Sequence, residues 1–328
     1  MQGTEQKWEE KQMAKNTVYE IVTNRIIEKI KDAIDNGTCL PWQQPWDSRN
    51  APINHTTLKA YRGVNLWLLE YGHEYVSWNQ LCDLQKHNRD VKLRKGSKAH
   101  IVVYFSFKKG QKDVMNEHGV VEQKEIEIPF LRYYNVYDIA DIDGLIPRRP
   151  QINYEHKPVE EAENLIQNYI NRENGLRLEF NDGNGAWYSP AMDVISVPSL
   201  NLFKSYSEYF STLAHECVHS TGSSKRLNRI KSTAFHSNDY SKEELVAEIG
   251  SCMLCAECGI DNQATADNSI AYLKGWLSAL QDDVKLIVTA SSQAQKAADY
   301  ILGRTADQLE ENAELQNSFR LDGHRTLV

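Results

Sequence analysis

The sequence predicts an α+β protein of two domains: a small mixed α/β domain over residues 1–150, then a mainly helical domain with a short sheet over 151–328. Three observations carry this. A chain of 328 residues exceeds what one core usually holds, so about two domains are expected. Residues 147–158 contain three prolines and two arginines, the composition of a linker, which puts the boundary near 150. Charge also splits there: residues 1–150 carry 22 Lys+Arg against 20 Asp+Glu, and residues 151–328 carry 15 against 25.

The elements follow in order. Val18, Ile21, Val22, Ile26, Ile30 and Ile34 recur at helical spacing over 17–36, and Gly37 ends that helix. The prolines of LPWQQPW (40–46) exclude regular helix and place Trp42 and Trp46 in an extended or turn segment. Residues 61–71 and 76–87 read as helices. Residues 99–108 (AHIVVYFSFK) read as a strand, 109–119 as a turn, and 126–137 (IEIPFLRYYNVY) as the pairing strand, with Pro129 marking an edge or a bulge. Beyond the linker come a helix over 159–171, short strands at 176–180 and 194–197 around the Gly183/Gly185 turn, and a strand over 187–197 leading into the next helix. That helix, 207–220, is capped by Ser205 or Ser207 and closed by Gly222. Helices over 241–258, 268–290 and 291–303 complete the chain before a polar tail.

Composition narrows the function classes. Hydrophobic residues at 41% and charged residues at 25% describe a folding chain rather than a disordered one. No apolar run approaches the roughly 18 residues of a membrane span, and the charged N-terminus lacks a signal peptide's apolar core, so a cytoplasmic protein without membrane contact is expected. Six cysteines without a regular framework fit a reducing compartment. Residues 86–112 hold nine basic side chains, among them Lys92, Arg94, Lys95 and Lys98, against the single acid Asp90, which is the footprint of a phosphate-binding surface.

The chemistry concentrates in His215-Glu216-Cys217-Val218-His219. Residues i and i+4 share one helical face, so both imidazoles can hold one Zn2+ while Glu216 activates a water beside it as general base. A third ligand is needed, and the helix beginning SKEELVAEIG offers Glu244 and Glu248 one turn apart. The arrangement resembles zincins whose third ligand is a glutamate on a downstream helix, followed four residues later by an acid that orients a histidine. That resemblance implies Glu244 as ligand and Glu248 as the orienting acid, with Glu248 the alternative ligand; Glu243 reads as a solvated helix-start acid. Tyr240 and His236 are candidates for a donor to the oxyanion in metal-assisted amide hydrolysis. The C-x-x-C-x-x-C run at Cys252, Cys255 and Cys258 lacks a fourth cysteine in place for an iron–sulfur cluster and reads as core packing.

In the first half, aromatic residues precede the basic segment, a combination suited to single-stranded DNA, where bases stack on rings and cations follow phosphates. Trp67 shares a helical face with Val64, Leu68 and Tyr71 and reads as core; Trp42, Trp46 and Trp78 are the stacking candidates. Nothing reads as a helix-turn-helix or zinc finger, which argues against base-specific duplex reading.

Nearly the whole chain resembles the ArdC-like antirestriction proteins of conjugative elements and phages. The resemblance rests on LPWQQPW (40–46), YRGVNLWLL (61–69), VKLRKGSKAHIVVYF (91–105), YNVYDIADIDGL (134–145), WYSPAMDVISVP (187–198), LAHECVHSTGSSKRLNR (213–229), YSKEELVAEIG (240–250) and AQKAADYI (294–301). It implies a single-stranded-DNA-binding domain related to part of some plasmid primases, fused to a zincin-like metallopeptidase domain, and a role in protecting incoming DNA from restriction. Tyr61, Arg62 and Asn65, inside YRGVN, join the DNA-contact candidates. A host restriction or related factor is the possible protein substrate. Two other readings stand beside this one: a non-proteolytic DNA-binding module with a structural or vestigial zinc site, and a plain metallopeptidase with a protein-binding N-domain.

Overall fold

The computed structural model describes residues 2–36, 40–42, 50–115, 121–149, 158–230, 238–260 and 270–304, and their side chains except those of 2–17, 108, 112–129, 158, 238–241 and 270–274. Helix α1 (Gln2–Asn36) starts earlier than the apolar pattern predicts and buries the stripe Val22, Ile26, Ile30 and Ala33. After it come β1 (Ile53–Asn54), α2 (Asn65–Leu68), β2 (Glu74–Ser77), α3 (Trp78–His87), β3 (Lys92–Leu93), β4 (His100–Met115), β5 (Val121–Asp138) and β6 (Ile142–Asp143). One sheet has the order β1-β2-β5-β4, and β3 pairs with β6 in a second, two-stranded one. In β5, Pro129 faces Phe107 of β4, while β2 pairs only with Val136, Tyr137 and Asp138, so the proline's missing N–H falls where β2 takes no ladder bond.

Two expected helices of this half are different structures. The 61–71 segment is helical only in α2, because the carboxamide of Asn65 turns to the margin of β4, accepting from Val103 N at 2.7 Å and donating to Val103 O at 2.8 Å. A side chain stands there in place of a neighbouring strand. The 76–87 helix begins two residues late: Tyr75 and Val76 are wholly buried in β2, and Ser77 opens α3 through a capping box with Gln80.

The second half comprises α4 (Pro158–Arg172), β7 (Arg177–Asn181), β8 (Trp187–Ser189), β9 (Val194–Pro198), α5 (Tyr206–Thr221), α6 (Asn238–Cys258), α7 (Ile270–Asp282) and α8 (Leu286–Leu302). The expected 187–197 strand is a hairpin, β8 against β9, turning through Asp193 at φ 54°. The order β7-β9-β8 leaves β8 on the outside of its sheet. The break between α7 and α8 falls at 283–285, where Asp283 Oδ1 accepts the Lys285 N–H at 3.0 Å, and not at 290/291, where Ala290 and Ser291 are buried inside α8.

One buried cluster runs through both halves, joining Ile26, Trp67 and Ile101 to Leu213, Ala247 and Ile287. Polar contacts cross with it: Thr23 Oγ1 donates to Val284 O at 2.7 Å, Trp67 Nε1 to Ser291 Oγ at 3.2 Å, and Gly63 N to Gln295 Oε1 at 3.2 Å. The start of the expected linker is itself docked on the first half. Buried Glu74 accepts the backbone N–H groups of Arg148 and Arg149 at 2.9 and 2.7 Å, and its other oxygen meets His55 Nδ1 at 2.6 Å. Among the described residues, no helix is long and apolar enough to cross a membrane.

Candidate functional site

Helix α5 begins at Ser205, whose hydroxyl accepts from Glu208 N at 3.1 Å, and the capping residue after its last turn is Gly222. The frame set between them puts His215 and His219 on one face. Helix α6 lies close alongside, because a Cβ on Gly250 would stand 2.8 Å from Cγ2 of Val218; only a residue without a side chain allows that approach. The approach delivers Glu244 to the histidine pair. His215 Nε2 and His219 Nε2 are 3.1 Å apart, and the Glu244 carboxylate lies 3.5 Å from the first and 3.4 Å from the second. Donors bonded at about 2.0–2.1 Å to one tetrahedral ion stand roughly 3.3 Å from each other, so these three side chains, with Glu244 offering Oε2 towards His215 and Oε1 towards His219, fit a small divalent cation. Among the described residues this trio is the one such group of potential ligands.

Electrostatics hold the trio together. Burial works against the charge on Glu244, but the two imidazoles outweigh it and hold its carboxyl well below the ordinary range. Burial likewise opposes charge on His219, and Glu243 and Glu244 outweigh it, raising that imidazole to about 9. Glu243 is the correction to the sequence reading. It is no solvated helix-start acid: Oε1 meets His219 Nδ1 at 3.2 Å, and Arg229 binds both of its oxygens at 2.8 Å. Arg229 is anchored in turn by Val218 O at 2.9 Å and Thr221 Oγ1 at 3.0 Å. Glu243 thus makes an orienting contact to His219; at Glu248 the backbone carbonyl accepts from Ser251 Oγ at 2.9 Å. Neither Glu243 nor Arg229 had a spacing signal of its own.

Glu216 is buried beside the imidazoles, and burial pushes its carboxyl upward against the lowering effect of both histidines; the Tyr188 backbone N–H bonds to it. Strand β8 therefore runs against the general-base candidate. The hairpin is fastened to the end of α5 by Asp193, which meets Arg226, accepts from the Tyr188 hydroxyl at 2.8 Å and pairs with Lys225 at 3.0 Å. Arg226 Nε also donates to Ser220 O at 2.7 Å. The side chains of Tyr240 and His236 lie outside the described residues. Cys252, Cys255 and Cys258 are buried in the main core, and burial pushes the Cys258 thiol up to about 12, consistent with packing.

The DNA-contact candidates separate. Trp42 is wholly buried and belongs to the main core; Tyr61 is buried against Tyr75; Asn65 is spent on β4; Arg62 is paired with Asp299 of α8. These four side chains are engaged within the fold, the aromatic and amide ones in the core and at a strand margin and Arg62 in an ion pair. Trp46 lies outside the described residues. Trp78 is 53% exposed at the start of α3, its ring 5.8 Å from that of Tyr137, a residue sequence reasoning missed. Lys92, Arg94, Lys95 and Lys98 are all exposed; Arg94 meets Asp143 at 2.9 Å, and the three lysines have no acidic partner among the described residues.

Comparison with known proteins bears on both halves. Residues 16–137 match the N-terminal domain of anti-restriction factor ArdC, and residues 160–293 match a zincin-like metallopeptidase domain. A crystal structure of the antirestriction protein ArdC from plasmid R388, metal-free, is 31% identical, with a TM-score of 0.62 over 90% of this chain and 98% of that one. The chain belongs to the ArdC antirestriction family. The Mn(II)-bound structure of R388 ArdC is 32% identical with a TM-score of 0.64, covering 88% of this chain and 98% of that one. An uncharacterised protein of Sinorhizobium fredii, y4eC, is 31% identical over 88% of this chain and 93% of its own length. A DNA primase TraC of Escherichia coli is 32% identical over 90% of this chain, which spans only 20% of that primase. This chain thus joins an ArdC-type N-terminal domain to a zincin-like domain that implies a metal, and the match to the primase runs through both.

Proposed function

We propose that this ArdC-family protein binds single-stranded DNA with its first half and hydrolyses a peptide bond at a zinc centre in its second, in the service of antirestriction by a mobile element. The observation that carries the peptidase reading is the set His215, His219 and Glu244 with Glu216 buried beside it, next to an outer strand. Two imidazoles and one carboxylate are one of the donor sets of hydrolytic zinc sites. That R388 ArdC has a Mn(II)-bound structure supports a divalent ion in this family.

The bound ion supplies a Lewis acid that acidifies water and polarises a carbonyl. The chain's own residues do the rest. An extended peptide adds to the outer side of β8, where main-chain pairing sets its register. Glu216, raised by burial yet kept ionisable by its histidine neighbours, takes a proton from the attacking water and returns it to the leaving amine nitrogen. Glu243 and Arg229 hold the His219 ring so that Nε2 faces Glu244. Removal of Asp193 would free the hairpin and blur the peptide register.

Glu216→Gln should keep wild-type zinc content and lose at least a hundredfold in cleavage of denatured casein. Undiminished cleavage by that variant, with wild-type activity established, would remove Glu216 from the chemistry. On the DNA side, exposed Trp78 with Lys92, Arg94, Lys95 and Lys98 supports single-strand contact. Anisotropy with a labelled single strand and its duplex, titrated at several salt concentrations, tests it: tighter binding of the single strand with a steep salt slope is expected, and equal binding to both forms would refute it.

A further inference from the structure

Side chains of β5 alternate between the two faces of its sheet, so Leu131, Tyr133, Asn135 and Tyr137 share one face. The register puts Val103 opposite Tyr133, Ile101 opposite Asn135 and Val76 opposite Tyr137. Leu131, Val103 and Ile101 are buried in the main core, which covers that part of the face. The other corner is left open. Tyr133 is 45% exposed, Asn135 is exposed, and Tyr137 is half-buried under Trp78. Leu93 of β3 packs on the same small cluster as Tyr137, which brings Lys92, Arg94, Lys95 and Lys98 to that end of the row.

The spacing of the row is informative. Tyr133 and Tyr137 are four residues apart in β5, about 13–14 Å along the strand. That is about four times the roughly 3.4 Å rise between stacked bases, so the two rings cannot enter one step of a stack. A base inside a stack has both faces covered, so a nucleic-acid strand that places bases on Tyr137 and Tyr133 must open its own stack at each ring, and a duplex cannot do so without melting. Basic side chains at one end supply the complementary charge.

We propose that Trp78, Tyr137 and Tyr133 form a stacking track for bases of one single strand, whose phosphates run over Lys92, Arg94, Lys95 and Lys98. This rests on the single-strand reading of the first half and adds to it the face, the direction along β5 and a preference for weakly stacked sequences. Because unstacking opposes binding, a thymidine tract should bind more tightly than an adenosine tract.

The test is anisotropy of labelled dT15 and dA15 with the intact chain. Tyr133→Ala should weaken dT15 binding about tenfold without changing the salt slope, and should narrow the preference for dT15 over dA15, while Tyr133→Phe stays near wild type. Trp78→Ala should weaken dT15 binding similarly, and Lys95→Ala should instead reduce the salt slope by about one. If the wild type binds dT15 and Tyr133→Ala binds it equally well, the track is wrong while the single-strand reading stands. Equal losses on dT15 and dA15 would mean the ring acts only through structure, which also overturns the track. A wild type that binds neither oligonucleotide removes both.

Discussion

At the metal centre, neighbouring residues of α6 divide the work. Successive helical side chains point about 100° apart, so Glu243 and Glu244 grip one imidazole from two sides, Glu243 at Nδ1 and Glu244 at Nε2 of His219. Their losses should differ in size. Glu244→Ala is expected to lose the metal, whereas Glu243→Gln, which spares the ligands, should weaken it about 10- to 100-fold, as removal of an orienting partner does. Competition with a chromophoric chelator measures both, and wild-type affinity in Glu244→Ala would contradict the ligand set. The His215–His219 pair was legible because its partners lie within one turn of one helix. The contact of Glu243 with His219 was not, because which acids of α6 reach a histidine depends on how the helix is rotated about its axis, and packing sets that rotation.

Among the elements, the β8–β9 hairpin carries the clearest energetic prediction. Asp193 turns the chain at φ 54° with a side chain that is 4% exposed, and it faces Arg226, Lys225 and the Tyr188 hydroxyl. Burial acts to raise its pKa, but those partners outweigh burial and lower it to about 2. An unfolded aspartate titrates near 3.9. A lowered pKa contributes stability that is complete above about pH 4 and is lost as the pH falls through about 2. Asp193→Asn, which tolerates the left-handed backbone, should cost about 2 kcal/mol at pH 7 by leaving buried Arg226 with only its longer contact to Glu173 at 3.6 Å, and should flatten the acid limb. Urea unfolding at pH 7 and pH 3 checks both, and a variant as stable as wild type at pH 7 would refute the account. Elements with strong period were legible: α4, α5 and the β4–β5 pair fall within a few residues of expectation, apart from the outward lengthening of both strands. Segment 61–71 misled because its apolar residues face the core from an irregular chain held by Asn65.

Over the whole molecule the halves are joined by a common core and by side chains that cross it. Arg62 reaches Asp299, which also accepts from Arg304 at 3.0 Å, and α8 in turn packs on α5 and α6, the helices of the candidate metal site. The full chain should therefore unfold in one cooperative transition, with far-ultraviolet circular dichroism and tryptophan fluorescence coincident. Two separated transitions would show that the shared core contributes little. The sequence by itself determined the α+β class, the helix carrying His215, Glu216 and His219, and the basic segment, because each is written in local spacing or local charge. Only the tertiary structure decided that Glu243 contacts His219, that Trp42, Tyr61, Arg62 and Asn65 are engaged within the fold, and that Tyr133 stands open while Tyr137 lies half-buried beside Trp78. Those outcomes depend on which faces meet across long stretches of chain, and burial there follows the summed packing of many side chains rather than the character of any one.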